Sequence, residues 1–497
     1  MTLGITAIAV ILITAASFTL LGLLQASRHT ISLEDYLVSR NRIGTGMALA
    51  TIVASAMGAW ILFSPPEVGA TSGIAGIVGY GIGQATPAAL FAFMGTRMRF
   101  LMPAGHSLNE YVLHRFGRAM YRLTLAIVVF YMFVYLAAEL TAIAKAVELM
   151  AGVPLWLTAL LVITAVFIYT LVGGLEATIF TDAIQFAVIV PLLLLSFGIA
   201  VYALGGWGNA VAPVRDVAPQ LLTLANGPGI KFGATLVIAV ISAEMFNQTN
   251  WQRIYACKSD TVVRRSFLGS FLMIWPMLLI AGLMGILAMN FGFNDDRAFF
   301  SLIQALELPS WVSIAVLVLV LALVMSSLDS LLNGIASLFT TDLLRIFPEK
   351  STNGILNLTR LITLIAGIPA IIIAARGYNV LYLFLLADLV CAGALFPVLF
   401  GLYSKRLTGQ MALWSAVAAI GTGALFFPKP DFSGWNGLPF AGDLLVSFAA
   451  PIVVSAVLCL GWIQLRASQG KTEAFDFGKL SRDIRAYGES VAVSPKG

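Results

Sequence analysis

The chain has 497 residues, of which 59% are hydrophobic and 11% charged, with a formal net charge of +5 and a mean hydropathy of +0.93. A soluble domain cannot hide that much apolar side chain, because its outer shell must be polar, so the composition excludes a water-soluble protein and indicates an all-α integral membrane protein. Cys257, Cys391 and Cys459 stand alone and exclude a disulfide framework or metal spacing, and His29, His106 and His114 form no catalytic cluster.

Apolar runs of ~20 residues, the length a helix needs to cross a bilayer, recur along the chain. The first, roughly Leu3 to Leu24, lacks a basic start and a small-residue cleavage site, and is read as a retained helix rather than a signal peptide. Predicted helices follow at Thr2–Leu24, Thr45–Ser72, Ile74–Phe100, Met120–Met150, Pro154–Leu171, Phe180–Leu204, Phe232–Ile254 and Phe267–Met289. The last five are Trp311–Leu344, Leu356–Ala375, Asn379–Tyr403, Gly409–Phe426 and Asp443–Leu465. That is about thirteen spans in a membrane domain over residues 1–465, followed by a polar tail at 466–497. The tail is too short for a kinase or nucleotide-binding domain, and no phosphate-cradling glycine motif is present, which excludes ATP-driven transport within this chain.

Lysine and arginine set the expected orientation. With the N-terminus outside and the C-terminus cytoplasmic, the inward loops hold Arg28, Arg40, Arg42, Arg97, Arg99, Arg115, Arg253, Lys258, Arg345, Lys350 and Arg406, among others. The outward segments keep only Arg215, Lys231, Arg297, Arg376 and Lys429, with Lys145 near an outer helix end. The positive charge therefore faces anionic lipid rather than nucleic acid. With no organelle address evident, a plasma (inner) membrane is the expected location.

Ionisable groups within spans are costly and mark a pathway or site. The candidates are Glu67, Glu139, Asp182, Glu244, Asp329 and Asp388, all acidic, with no arginine or lysine expected at comparable depth. Such a set needs a mobile cation, a protonated state or a cationic substrate. On the helix Trp311–Leu344, residues Ser326, Asp329, Ser330 and Asn333 recur at helical spacing and form one polar stripe. Ser326 and Ser327 lie one turn after Leu323, so hydroxyl and carbonyl oxygens suited to sodium converge there; the competing reading is helix packing through small polar residues. The second helix is interrupted by Ala54-Ser55-Ala56-Met57-Gly58-Ala59-Trp60 and by Ser64-Pro65-Pro66-Glu67, and freed carbonyls there could ligate an ion. The seventh becomes polar midway, through Ser242, Glu244, Asn247, Gln248, Asn250, Trp251 and Gln252. Paired irregular helices of this kind point to a transporter's midplane site.

The stretch Val172-Gly173-Gly174-Leu175-Glu176 followed by Thr181-Asp182-Ala183-Ile184-Gln185 resembles a signature of the sodium:solute symporter family. Three further pieces occur in the expected order: Asp35-Tyr36 with Ala54, Met57 and Trp60; Gln252-Arg253; and Ser326-Ser327-Leu328-Asp329-Ser330 with Asn333 and Thr341-Asp342-Leu343. The resemblance covers nearly the whole chain. It implies a LeuT-type core of two inverted five-helix repeats over about 45–403, with one helix before and two after. It implies a sodium site from carbonyls of Ala54, Met57 and Leu323 with hydroxyls of Ser326 and Ser327. A second cation position, which some members hold, falls on Asp182, Asp329 and Ser330. Asp329 stands where the family carries serine, so this position is either a tighter cation site or a proton carrier. The competing reading of Asp182 is a helix-start cap.

The expected solute lining is Ala59, Trp60, Tyr135, Glu139, Glu244, Asn247, Gln248, Trp251 and Asp388. Tyr135 stands where sialic-acid members place an arginine, which argues against an anionic solute. Carboxylates and amides beside tryptophan suit a donor-rich or cationic one, although Trp60 and Trp251 are equally well read as packing anchors. The resemblance is strongest to the urea/polyamine branch, which implies sodium-coupled uptake of a small polar or cationic solute, with a proton-coupled symporter for an amino acid or related solute as the variant. A membrane sensor on the same fold is the rival, disfavoured by the short tail. An intramembrane enzyme would need catalytic spacings that are absent.

Overall fold

The computed structural model describes residues 2–27, 32–346, 352–435, 437–470 and 474–486; Arg28, His29 and Lys350 lie outside them. The described chain is all-α, with a single isolated bridge between Ile43 and Cys257. Eleven of its helices are long and apolar enough to cross a membrane. The shorter apolar segments Thr45–Ala56 and Leu155–Thr170 complete the expected series of spans.

The helices that build the site are α1 (Thr2–Ala26), α2 (Thr45–Ala56), α3 (Ser64–Leu101), α4 (Arg118–Ala151), α5 (Leu155–Ala203), α6 (Gly227–Glu244) and α7 (Gln248–Ala256). They continue with α8 (Asp260–Ala288), α9 (Ser310–Ile346), α10 (Thr352–Ala374), α11 (Val380–Phe400), α12 (Gly409–Phe426) and α13 (Leu444–Ser468). The predicted helix Thr45–Ser72 is divided. After α2 the chain is extended through Met57 and Gly58, turns once at Ala59–Leu62, and restarts at Ser64. Pro65 and Pro66 sit in the first turn of α3, where a helix tolerates their missing donors. The second irregular helix likewise breaks after Glu244 and restarts at Gln248, with Asn247 accepting from the Thr249 N–H as its cap.

The start of the sixth predicted span needs correction. The helix resumes at Leu175, directly after a bend at Gly174 (φ 56°, ψ −154°), so Asp182 lies inside α5 and is not a helix-start cap. Only glycine serves at position 174. The φ is left-handed, and a Cβ there would come within 2.6 Å of the Tyr36 ring.

The broken helices open two runs of five spans, α2–α5 and α6–α11, with α3 and α5 each bent into two. Helix α9 packs on α4, α5 and α2, while α11 lies against α4 and α6. Both unwound segments are therefore held at the centre of the bundle, with α1 applied to the outside of α5.

Candidate cation and solute sites

Helix α9 brings its serines onto the break of α2. The Ser326 hydroxyl donates to the carbonyls of Ala54 (3.0 Å) and Leu323 (2.9 Å), and Ser327 donates to Leu323 (3.2 Å) and Val324 (3.1 Å). Met57 follows in extended geometry (φ −105°, ψ 94°), which turns its carbonyl out of helical register. Two carbonyls and two hydroxyls, from positions far apart in sequence, thus meet in a fully buried place. Hard, neutral oxygens of this kind can strip and hold a sodium ion.

One turn along α9 the arrangement differs from expectation. Arg253, on α7, is fully buried, which corrects the reading that no basic residue reaches this depth. Its guanidinium donates to Asp182 (2.8 Å), Ser330 (2.6 Å), the Thr51 hydroxyl (3.0 Å) and the Thr249 carbonyl (3.0 Å). Asp182 also accepts from Thr51 at 2.5 Å. The neighbouring Asp329 accepts from Tyr169 (2.8 Å), Thr181 (3.2 Å) and Ser330 (3.3 Å), and no basic side chain among the described residues hydrogen-bonds to it. Asp182, Asp329 and Ser330 are therefore brought together as the sequence suggested, but around a built-in guanidinium.

A small cavity lies between α3, α4, α6 and α11. Of the expected solute residues, Trp60, Tyr135, Glu244 and Asp388 line it. Their companions Tyr80, Gln84, Tyr131, Phe384 and Leu385 were missed. A signal existed for two of them: Gln84 is an amide within an apolar span, and Tyr131 precedes Tyr135 by one helical turn. The rings of Trp60 and Tyr135 pack on Phe384 at 5.7 and 4.8 Å. Glu244 is held on both oxygens, by Tyr131 (3.2 Å) and by the amides of Asn247 (3.1 Å) and Asn250 (2.9 Å). Asp388 lines the same cavity, and its carboxylate makes no hydrogen bond with the described residues.

The other five expected lining residues stand off this wall. Asn247 caps α7, and Gln248 donates to the His106 carbonyl (2.9 Å). Trp251 donates to the Met245 carbonyl (2.9 Å) and meets Phe91 edge-on at 5.1 Å, the packing alternative. Ala59 and Glu139 meet at the break of α2, where Glu139 Oε2 accepts the Ala59 N–H at 2.8 Å.

Residues 36–419 match the model of the Sodium:solute symporter family. The spermidine transporter DUR31 of Candida albicans is 28% identical, with 91% of this chain and 89% of that protein aligned. The urea-proton symporter DUR3 of Oryza sativa subsp. japonica is 23% identical over 94% and 70%, and the sodium/proline symporter of Escherichia coli is 26% identical over 83% and 85%. A Na+-coupled sialic acid symporter, solved in a substrate-bound outward-open state, superposes with a TM-score of 0.74 at 17% identity, over 92% of this chain and 97% of that one, and so shares the fold.

Proposed function

The chain belongs to the sodium:solute symporter family, a family of multi-pass membrane transporters and not enzymes, and from that premise we propose that it imports a small cationic organic solute of the polyamine kind by sodium-coupled alternating access. The observation behind the solute is Asp388, a buried carboxylate that makes no hydrogen bond among the described residues, in a cavity with aromatic walls, with Glu244 beside it and no lysine or arginine in the lining. An ammonium group entering there gains a charge-assisted hydrogen bond and contact with the faces of Trp60 and Tyr135. An anionic solute would meet only repulsion.

Sodium held by Ala54, Met57, Leu323, Ser326 and Ser327 fixes α2 against α9. Because the extended segment after α2 carries Trp60 into the cavity wall, ordering it for the ion also orders it for the solute. An ion shifts the conformational balance only through different affinity for the two states, and a site spanning two helices that move apart has that property. The lysine and arginine bias toward the inward loops supports an N-terminus outside and a cytoplasmic tail at 466–497, in the plasma membrane.

The test is uptake by purified protein in sealed vesicles. Radiolabelled putrescine, spermidine, urea and proline are offered under an inward sodium gradient, then under a proton gradient with potassium replacing sodium. Sodium-dependent accumulation of an amine, but not of proline, supports the proposal. Binding without accumulation would instead indicate a sensor. The second reading, proton-coupled uptake of urea, is favoured by Asp329, which has no basic hydrogen-bond partner among the described residues, and by similarity to the urea-proton symporter; proton-driven urea uptake indifferent to sodium would put it first.

A further inference from the structure

Glu139 lies where neither the cation ligands nor the solute wall accounts for it. It projects from α4, is fully buried, and reaches the unwound segment of α2. One oxygen accepts the Ala59 N–H at 2.8 Å, and the Trp60 N–H and the Ser327 hydroxyl approach the same carboxylate. The other oxygen, Oε1, is buried and completes no hydrogen bond. It lies flat against Gly58, where a Cβ would come within 1.8 Å of it, so only glycine leaves room for this approach. Gly58 directly follows Met57, and Ser327 follows Ser326. The carboxylate thus lies at Gly58, the residue after Met57, and beside Ser327, next to the oxygen donors proposed for sodium and with an unfilled acceptor at its tip. A buried carboxylate with an unsatisfied oxygen is expensive unless a cation or donor completes it.

We propose that Glu139 is the charged member of the sodium site. It supplies the negative charge that five neutral oxygens lack, acting on the ion through Oε1, the oxygen that completes no hydrogen bond among the described residues. Since its other oxygen holds the Ala59 and Trp60 backbone, the same side chain ties occupation of the ion site to the wall of the solute cavity. This rests on the sodium-site reading above. The competing role is purely structural, a carboxylate capping the free N–H groups at the break.

Glutamine separates the two roles, because its amide oxygen still accepts the Ala59 N–H while the charge is gone. Sodium is titrated into the purified full-length protein against potassium at constant ionic strength, reading the melting temperature and tryptophan fluorescence, for wild type, E139Q, E139D and S327A. The expected result is a half-saturating sodium concentration raised tenfold or more in E139Q, within about threefold of wild type in E139D, and a sodium-free melting temperature little changed in both. E139Q titrating like wild type would overturn the proposal and leave Glu139 as a cap. Weaker amine binding at saturating sodium with unaltered sodium affinity would overturn it too, moving Glu139 to the solute. A wild type that is folded yet blind to sodium would overturn the sodium site itself and this role with it. Loss of the response in S327A alone, with E139Q normal, would leave the site standing and remove only Glu139 from it.

Discussion

Arg253 and Asp182 form an ion pair of 2.8 Å with both side chains fully buried, joining α7, the second half of a broken helix, to α5 beyond the bend at Gly174. The same guanidinium nitrogen donates to Asp182 and to Ser330, two of the three residues expected for a second cation. Breaking one partner of such a pair leaves a buried charge uncompensated, a loss of about 3–5 kcal/mol. R253A is therefore expected to lower the melting temperature of the purified protein severely, and R253Q combined with D182N to recover much of the loss. If the guanidinium takes the role of a second cation, sodium dependence of uptake in the wild type should be hyperbolic. A sigmoidal curve would show that a second ion displaces the guanidinium.

At the break of α2, Ser326 links the Ala54 carbonyl to that of Leu323. S326A with S327A removes both hydroxyl ligands while keeping helix packing volume nearly constant. Sodium-specific thermal stabilisation at constant ionic strength should disappear, and half-saturating sodium for uptake should rise by at least about tenfold, roughly 1.4 kcal/mol. A double variant that keeps the sodium response would remove these serines from the ion site.

The two cavity carboxylates should separate on substitution. D388N leaves the fold untouched, since Asp388 makes no hydrogen bond to the described residues, and should weaken amine uptake by about tenfold or more through the solute half-saturation. E244Q disturbs three hydrogen bonds that hold the second break, so it should cost stability as well as affinity. Neutral solutes provide the control: if D388N weakens urea and amines alike, charge recognition is not its role.

His106 lies between spans, in the loop before Leu108–Phe116, and is fully buried between Glu110 (3.1 Å) and Glu34 (2.9 Å), while Arg40 braces Glu34 at 2.6 Å. Burial works against the imidazolium, but the hydrogen bonds and charges of Glu110 and Glu34 outweigh it, so the His106 pKa is raised above 6.5. Folding therefore binds the proton more tightly. The resulting stabilisation is complete below the unfolded value of 6.5 and is lost as pH climbs through the raised value. Because Gln248 on α7 donates to the His106 carbonyl, loosening this cluster frees the end of a helix that carries Arg253. Thermal stability should fall as the pH rises through the raised His106 value. H106Q should flatten that slope, and an unchanged slope would assign it elsewhere.

Hydropathy determined the class and the series of spans, because the bilayer imposes a length and an apolar face on every segment, and glycine, proline and polar residues within two spans marked the interrupted helices. Spacing along one helix likewise put Ser326, Asp329, Ser330 and Asn333 on a common stripe, since helical geometry is local. What sequence could not carry was depth and direction across the bundle. Arg253 follows a polar patch and read as the inward edge of the predicted helix Phe232–Ile254, yet the short helix Gln248–Ala256 turns it to Asp182, a residue 71 positions away. Glu139, one turn beyond Tyr135, read as solute lining, whereas the approach of α4 to Gly58 sends it to the break instead. Both outcomes depend on how helices pack, a matter of long-range side-chain volume that no window of sequence contains.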